Sequence, residues 1–324
     1  MFSFVQNRFR FYSVALGLTV FSLLSPWIFG LNLGIDMTGG IQIEYNVKDG
    51  NVDAVEALAR TYAEEIEKTT TVNGKMIMNG MSVYGIAGTT AFIVEAGFAW
   101  GEGITEAMIQ EAKASFTKAL TDKLSLEKSA KITQSRYVNI GESFGEYIKK
   151  SGYITLSLAI LMITFYIAYA FRGSIPGMAS WPFAVVTGIS LIHDIIVAFG
   201  LYVATSFFFP EFKIDTFFLT ALLTILGYSI NDTIVVMDRI RSNLHEGDKK
   251  LWLSHVIDKS IHDTLGRSLL TSSTVFIVLL ALFFFGPESL KWFTLALLFG
   301  TVIGTYSSIC IASPLLIDVT QKKK

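Results

Sequence analysis

Six long apolar segments constrain this chain more than any other feature of its 324-residue sequence. They run near residues 11–30, 152–171, 182–206, 215–237, 269–286 and 292–317. A helix needs roughly 20 residues to cross a hydrocarbon core, so segments of this length are typical of membrane spans. Charged residues make up only 16% of the chain, where a soluble domain carries about 25%. We therefore predict an α-helical membrane protein with six transmembrane helices.

The polar stretch between the first two spans, residues 31–150, is long enough to form a small domain with its own core. Alternating apolar residues indicate four strands, and apolar residues at helical spacing indicate two helices. In chain order these elements lie near 41–47, 52–68, 76–86, 90–95, 105–124 and 131–140. The order β-α-β-β-α-β predicts a ferredoxin-like α+β domain between transmembrane helices 1 and 2.

These patterns divide the chain into three parts. Residues 1–30 comprise the N-terminus and the first transmembrane helix, 31–150 the α+β domain, and 151–324 a five-helix membrane domain. The first span resembles a signal peptide but lacks a small-residue cleavage site, so we interpret it as a retained anchor. Within the last part, residues 238–267 are predicted to be a cytoplasmic loop. Apolar residues at helical spacing in that loop predict a helix on the inner membrane surface.

Basic residues predict the orientation of the chain, because short cytoplasmic loops are enriched in lysine and arginine. One side of the predicted membrane domain carries most of them, including Arg8, Arg10, Arg172, Arg239, Arg241, Lys259 and Arg267. Both termini are therefore predicted to be cytoplasmic, and the α+β domain extracytoplasmic. Lys149 and Lys150 fall on the opposite side, at the end of a long translocated domain where this bias is weak.

The fourth span contains an aspartate, Asp232. A charged side chain at the centre of a membrane helix costs about 2.5–3.5 kcal/mol by insertion scales, so such residues are usually functional. Tyr228 lies one turn from Asp232 on the same face. Ser229, Asn231 and Thr233 add two hydroxyl groups and an amide. Gly227 lies one turn from Asn231 on the same helix face, where a glycine would permit close approach of a neighbouring helix.

Two further polar groups lie in the predicted membrane domain. His193 and Asp194 occupy the middle of the third span, where they form either a functional pair or a satisfied structural one. Arg267 begins the fifth span, followed by Thr271, and either extends to the headgroups or approaches Asp232 at a similar depth. An arginine that pairs with Asp232 in one conformation and leaves it in another would make Asp232 release and take up a proton.

Several kinds of chemistry are excluded by missing motifs. The sequence has no H-E-x-x-H, no G-x-S-x-G and no phosphate-binding G-x-x-x-x-G-K-[ST]. Its four histidines and single cysteine assemble no metal-ligand pattern. We therefore expect no catalytic residues, no metal and no cofactor other than a coupling ion, and we do not expect an enzyme. The net charge of −1 indicates no nucleic-acid partner.

Four sequence motifs together resemble the SecF subunit of bacterial protein export, a half-transporter of the RND superfamily. The first contains Gly34, Asp36, Gly39 and Gly40 in the run Gly-Ile-Asp-Met-Thr-Gly-Gly, where the family usually has phenylalanine for the methionine. The others are residues 227–241, the His193-Asp194 pair and residues 264–272. The resemblance covers the whole chain, and its motifs are specific as a set.

The resemblance implies a multi-pass protein of the bacterial cytoplasmic (inner) membrane that pairs with SecD, whose six spans are a pseudo-repeat of these. Together the two would assist the SecYEG channel in moving a preprotein, using the proton motive force. Asp232 would bind the proton, Arg267 would regulate it and Asp194 would support it, although some family members use sodium. Two alternatives remain: half of an RND-type drug or lipid exporter, or a structural scaffold of the translocase that conducts no ions.

Overall fold

The structure is a computed structural model, which describes residues 2–48, 50–69, 71–72, 75–76, 78–86, 88–98, 104–127, 130–172, 180–209, 212–246 and 253–321. In chain order its elements are α1 (Arg8–Phe29), α2 (Ile35–Thr38), β1 (Gly40–Lys48), α3 (Val52–Thr69), β2 (Thr71–Val72), β3 (Lys75–Met76), β4 (Met78–Gly85), β5 (Ala91–Phe98), α4 (Glu106–Ser125), β6 (Lys131–Ile140), α5 (Glu142–Ala170), α6 (Trp181–Phe208), α7 (Thr216–Glu246), α8 (Leu253–Phe285), α9 (Glu288–Ser307), a π-helical turn (Ser308–Ala312) and α10 (Ser313–Gln321).

The described residues contain six helical segments long and apolar enough to cross a membrane, which confirms the predicted six spans. The sixth is the α9–α10 segment, Leu290–Thr320. α6, α7 and this last segment form the buried centre of the bundle, whereas α1, α5 and α8 expose most of their surface. The central position of α6 and α7 matters because they carry the two intramembrane aspartates.

The segment 238–267, predicted to be a loop with a surface helix, is instead largely formed by extensions of two spans. α7 continues to Glu246, and α8 begins at Leu253 and runs without a break into the fifth span. Residues 247–252 lie outside the described residues. The apolar spacing in 253–265 was correctly interpreted as helical and leads into the fifth span. Its position at the inner membrane surface stays a prediction.

Contacts between the two extensions explain this difference. Ile257 and Ile261 of α8 are buried in one cluster with Ile240 of α7. An ion pair 2.7 Å long joins Arg239 to Asp263 at the side of this contact. The apolar face of the segment is therefore covered by α7, which removes the reason for it to lie on lipid.

The α+β domain has the predicted ferredoxin-like topology. Its four-stranded sheet has the order β4-β5-β1-β6, and every neighbouring pair is antiparallel. Inward-facing residues of β1 alternate along the strand and pack with buried residues of α3 and α4 in one core. The β2–β3 ribbon is an addition that the sequence patterns did not predict.

Candidate functional site

Asp232 lies inside the bundle, where only 3% of the residue is exposed. The Ser272 hydroxyl of α8 donates a hydrogen bond to Asp232 Oδ2 over 3.2 Å. Thr305 of α9 donates in turn to Ser272 Oγ over 2.6 Å. Among the described residues, Ser272 is the only side chain that donates a hydrogen bond to this carboxylate. Two hydroxyl groups therefore link Asp232 to the neighbouring helices.

A groove between α8 and α9 leads to these hydroxyl groups. Its volume is about 500 Å³, and its walls include Ser272, Ser273, Thr301 and Thr305. The rest of the lining is mostly apolar. The groove therefore reaches Ser272 and Thr305, the two hydroxyl groups next to Asp232, and Asp232 itself does not line it.

The polar residues that surround Asp232 on α7 divide into an inner and an outer set. Tyr228 directs its hydroxyl inward, where it is buried and has no hydrogen-bond partner among the described residues. Thr233 is also buried, and its hydroxyl donates to the Ser229 carbonyl over 3.2 Å. Asn231 is exposed on the outer surface of the bundle. The inner set provides one free hydroxyl a single turn from Asp232.

The outer surface of α7 carries a polar stripe. Its exposed members are Thr216, Thr220, Thr224, Gly227 and Asn231. A Cβ atom added to Gly227 would meet nothing within 4 Å. The close helix contact predicted at this glycine therefore does not occur within the described chain.

Arg267 does not reach Asp232 in this conformation. It is exposed on α8, and the described residues contain no ion pair between the two side chains. Ser272 marks the depth of Asp232 on α8, and Arg267 precedes it by five residues, a rise of about 7.5 Å. Thr271 is also exposed, and its hydroxyl donates to the Arg267 carbonyl over 2.9 Å.

Asp194 occupies a second polar cluster, at the contact of α6, α7 and α9. Its side chain is fully buried, and its Oδ1 atom lies 2.9 Å from His193 Nδ1. The hydroxyl groups of Ser229 on α7 and Ser307 on α9 both donate to Oδ2. Ser190 of α6 donates to Ser307 Oγ over 3.2 Å. The sequence brings His193 and Asp194 together as predicted, and the fold adds hydroxyl groups from two further helices.

Small residues on α9 permit this convergence. A Cβ atom on Gly300 would fall 2.1 Å from Ile225 Cγ1 of α7, so any larger residue would separate the helices. Gly304, one turn further, packs against Ser229. The π-helical turn begins directly after Ser307, which places this wider turn beside the Asp194 cluster.

The glycine motif lies where the α+β domain meets the membrane domain. Thr216, the first residue of α7, donates to Asp36 Oδ2 over 2.9 Å. Gly39 has a φ of 77°, which favours glycine. A Cβ atom on Gly40 would fall 2.5 Å from the Ala96 carbonyl oxygen of β5. Gly34 donates its backbone N–H to the Ile214 carbonyl. The motif therefore attaches the α+β domain to the start of α7.

A lysine before α7 makes a second connection between the two domains. Lys213 Nζ lies 2.6 Å from Ser82 Oγ and 3.0 Å from Glu95 Oε2, on β4 and β5. Tyr84 of β4 donates to the other oxygen of Glu95 over 2.8 Å. Both groups of the ion pair are largely buried, so the contact is shielded from salt.

Asp215 adds a carboxylate between these two connections. Its Oδ1 atom accepts the backbone N–H of Phe218 and caps the start of α7. Burial raises the pKa of Asp215 to about 6, and the negative charges of Asp36 and Glu95 raise it as well. As the pH falls through 6, protonation of Asp215 therefore relieves repulsion at the domain junction.

Comparison with known proteins agrees with this combination of fold and sites. The family described as protein export membrane protein SecD/SecF, C-terminal, matches residues 120–322. The SecD/SecF GG motif matches residues 25–50, which include the glycines at the domain junction. Six spans, one small α+β domain and these motifs define a membrane subunit of the protein-export machinery.

Relatives along the whole chain narrow the assignment. The chain is 32% identical to protein translocase subunit SecF of Sebaldella termitidis, covering 99% of this chain and 92% of that protein. It is 33% identical to the SecF subunit of Thermobaculum terrenum, covering 99% and 95%. The chain therefore belongs to the SecF family, and it is a multi-pass membrane protein with a role in Sec protein export.

Longer relatives contain SecD and SecF in one chain. The SecDF subunit of Brucella abortus is 35% identical over 185 residues, which are 57% of this chain and 23% of that protein. The crystal structure of the translocon-associated SecDF from Thermus thermophilus superposes with a TM-score of 0.68 at 25% identity. The match covers 98% of this chain and 38% of that one.

Proposed function

We propose that this chain is the ion-coupled half of a SecD–SecF complex, which uses the proton motive force to assist SecYEG-dependent preprotein translocation. One observation carries the proposal: Asp232 is buried in a membrane span, and Ser272 is its single hydrogen-bond donor among the described side chains. An intramembrane carboxylate with so few partners costs free energy that a structural role would not require. Binding and release of a proton or a sodium ion is a function that accounts for this cost.

The polar stripe on α7 supports a partner of the SecD type. The Thr220 and Thr224 hydroxyls donate to carbonyls of their own helix, whereas the exposed Asn231 amide has no partner among the described residues. A second helix bundle that covers this face and bonds to Asn231 would therefore be favourable. Gly227 in the same stripe leaves room for a closely packed helix. In Brucella abortus and Thermus thermophilus the two halves occur in one SecDF chain.

Helix α7 is the element that would couple ion binding to the α+β domain. Thr216 and Asp232 are 16 residues apart in this helix, a distance of about 24 Å. At its first residue the helix is bonded to Asp36, and Lys213 just before it is bonded to Glu95. A tilt of α7 when Asp232 changes its charge would therefore move the domain. With both termini cytoplasmic in the bacterial cytoplasmic membrane, that domain would contact the emerging preprotein outside.

Arg267 would act in a second conformation. In the present one it is exposed and lies about 7.5 Å beyond the depth of Asp232 along α8. When Asp232 loses its ion, the bare carboxylate favours a conformation in which Arg267 approaches it. Return of the ion favours the conformation described here, with Ser272 as the partner. Asp194 supports the cycle by holding Ser229, which lies one turn from Asp232 on α7.

The decisive test replaces Asp232 by asparagine, which keeps the shape and removes the charge. In cells that depend on this chain for secretion, Asp232→Asn should reduce export to the level of a deletion. The complex with the six-span partner should still co-purify, because the stripe on α7 is unchanged. Asp238→Asn is the matched control: it removes an exposed aspartate of the same helix, whose only described ion pair is with Arg241.

Export that survives Asp232→Asn at the wild-type level, with normal assembly, would favour the scaffold that conducts no ions. If Asp232→Asn loses both export and assembly, ion flux measured in vesicles that contain the purified complex separates the two proposals. The proposal requires that flux to disappear in Asp232→Asn and to persist in Asp238→Asn.

A further inference from the structure

A cavity on the α+β side of the membrane domain is separate from both aspartate clusters. Its volume is about 480 Å³, within the range of ligand sites, roughly 300–1,000 Å³. Three helical walls come from α1, α5 and α6, and α7 closes the floor with Phe218, Leu219 and Leu222. α1 and α5 both pack on α6, and the cavity lies between them.

The position of the cavity matches one leaflet of a bilayer. Along α5 its lining extends from Lys149 to Ile160, eleven residues or about 16 Å. One leaflet contributes half of a hydrocarbon core about 30 Å thick. Trp27 near the end of α1 is 88% exposed, and Tyr153 on α5 is 75% exposed. Aromatic residues of this kind mark the boundary between hydrocarbon and headgroups, so the open end of the cavity lies at that boundary.

The chemistry of the lining is asymmetric. Most of the lining is aliphatic, with Phe199 and Phe218, whereas Lys149 and Tyr153 line it near the start of α5, on the side of the α+β domain. Lys149 is half-buried, and within the described ranges its ammonium group has no ion pair or hydrogen bond. The nearest carboxylate in sequence, Glu146, is exposed.

We propose that this cavity binds one acyl chain of an anionic phospholipid from the leaflet on the side of the α+β domain. The acyl chain would lie between α1 and α5, and the phosphate would accept hydrogen bonds from Lys149 Nζ and the Tyr153 hydroxyl. A positive group at the rim of an apolar groove favours an anionic headgroup over a zwitterionic one. The lipid would also fill the space beside Leu33 and Met37, which belong to the connection with the α+β domain.

The test measures lipid retained by the purified full-length chain with native mass spectrometry, after addition of phosphatidylglycerol or phosphatidylcholine. Wild type should retain one phosphatidylglycerol and markedly less phosphatidylcholine. Lys149→Gln should weaken the binding of phosphatidylglycerol about fivefold, since a single lysine near a lipid surface contributes an effect of this order. Lys150→Gln is the matched control, because Lys150 is exposed and does not line the cavity.

A second variant tests the acyl chain separately from the headgroup. Ser157 lies in the cavity wall and is otherwise exposed, so Ser157→Trp fills the cavity without disturbing a packed core. This variant should lose the retained lipid and keep its melting temperature in detergent. Equal retention in wild type, Lys149→Gln and Ser157→Trp would show annular lipid only and overturn the proposal. Equal retention of the two lipids would overturn the assignment of an anionic headgroup.

Discussion

The two aspartate clusters of the membrane domain use the same side chain in opposite ways. Asp194 is fully buried, and each of its oxygens has a partner: His193 on its own helix, and hydroxyl groups from α7 and α9. Asp232, on the neighbouring helix α7, is almost as deeply buried and has one described donor, Ser272. Burial alone therefore does not distinguish a structural carboxylate from one that binds an ion.

The difference between them is the number of satisfied hydrogen bonds. At Asp194 an ion would compete with hydrogen bonds to three side chains, and the two from Ser229 and Ser307 also join α6 to α7 and α9. Asp232 can bind an ion at the cost of one long hydrogen bond, and the free hydroxyl of Tyr228 is one turn away. A buried polar group with few partners is costly, which is why we propose Asp232 as the carboxylate that exchanges an ion.

The largest effect that would sharpen this comparison concerns Arg267. Because Arg267 is exposed and unpaired with Asp232 here, Arg267→Met should leave the melting temperature unchanged. It should nevertheless reduce ion flux in vesicles by about tenfold or more, since a charge pair worth about 1.4 kcal/mol corresponds to that factor. Arg239→Met is the control, because Arg239 is exposed and already engaged with Asp263. Wild-type flux in Arg267→Met would remove this residue from the cycle.

The next effect concerns stability. Asp194→Ala removes the acceptor of the Ser229 hydroxyl and leaves the Ser307 hydroxyl with only the Gly304 carbonyl of its own helix. Two lost hydrogen bonds between membrane helices should lower the free energy of unfolding by about 1–3 kcal/mol. Asp232→Ala should change it by less, because only the bond to Ser272 is lost. Thermal unfolding of the purified variants measures both. A larger loss in Asp232→Ala than in Asp194→Ala would reverse the roles assigned to the two carboxylates.

Much of the fold could be predicted because periodicity reports burial directly. The six spans and the β-α-β-β-α-β order both followed from spacing, and the helix start at Thr105 is confirmed by its bond to the Met108 N–H. In the segment 238–267, spacing shows which face of the helix is apolar and leaves open what covers it. Here the cover is α7, through Ile240.

The sites were predicted in part for a similar reason. Asp232 and the His193-Asp194 pair are conspicuous because charge is rare in an apolar span. Ser272, Thr305 and Ser307 were not singled out, because serine and threonine are common in membrane helices and their own backbone satisfies them. A weak signal existed: Thr301 and Thr305 recur on one face of the last span. Whether Arg267 faces Asp232 depends on helix rotation, which sequence does not determine.

A smaller effect tests the single donor of Asp232. Ser272→Ala removes a hydrogen bond to a charged group, which is worth about 1.5 kcal/mol, or about tenfold at most in flux. Because Thr305 can move toward the space left by the serine hydroxyl, the observed loss should fall below that limit. Ser273→Ala is the matched control, since Ser273 lines the same groove but is exposed and does not contact Asp232. Equal flux in the two variants would show that Ser272 does not act on the carboxylate.

The smallest effect compares two hydroxyl groups on the same helix. Thr305 donates a hydrogen bond to Ser272, the donor of Asp232. Ser307, two residues later, donates directly to Asp194. Each contributes one hydrogen bond between membrane helices, on average about 0.6 kcal/mol, so Thr305→Val should lower ion flux about threefold. Its melting temperature should stay near wild type. Ser307→Ala should do the reverse, lowering the melting temperature by a small amount and leaving flux intact. If both variants lowered flux equally, the two clusters would behave as one network, and the separation between a structural and an exchangeable carboxylate would fail.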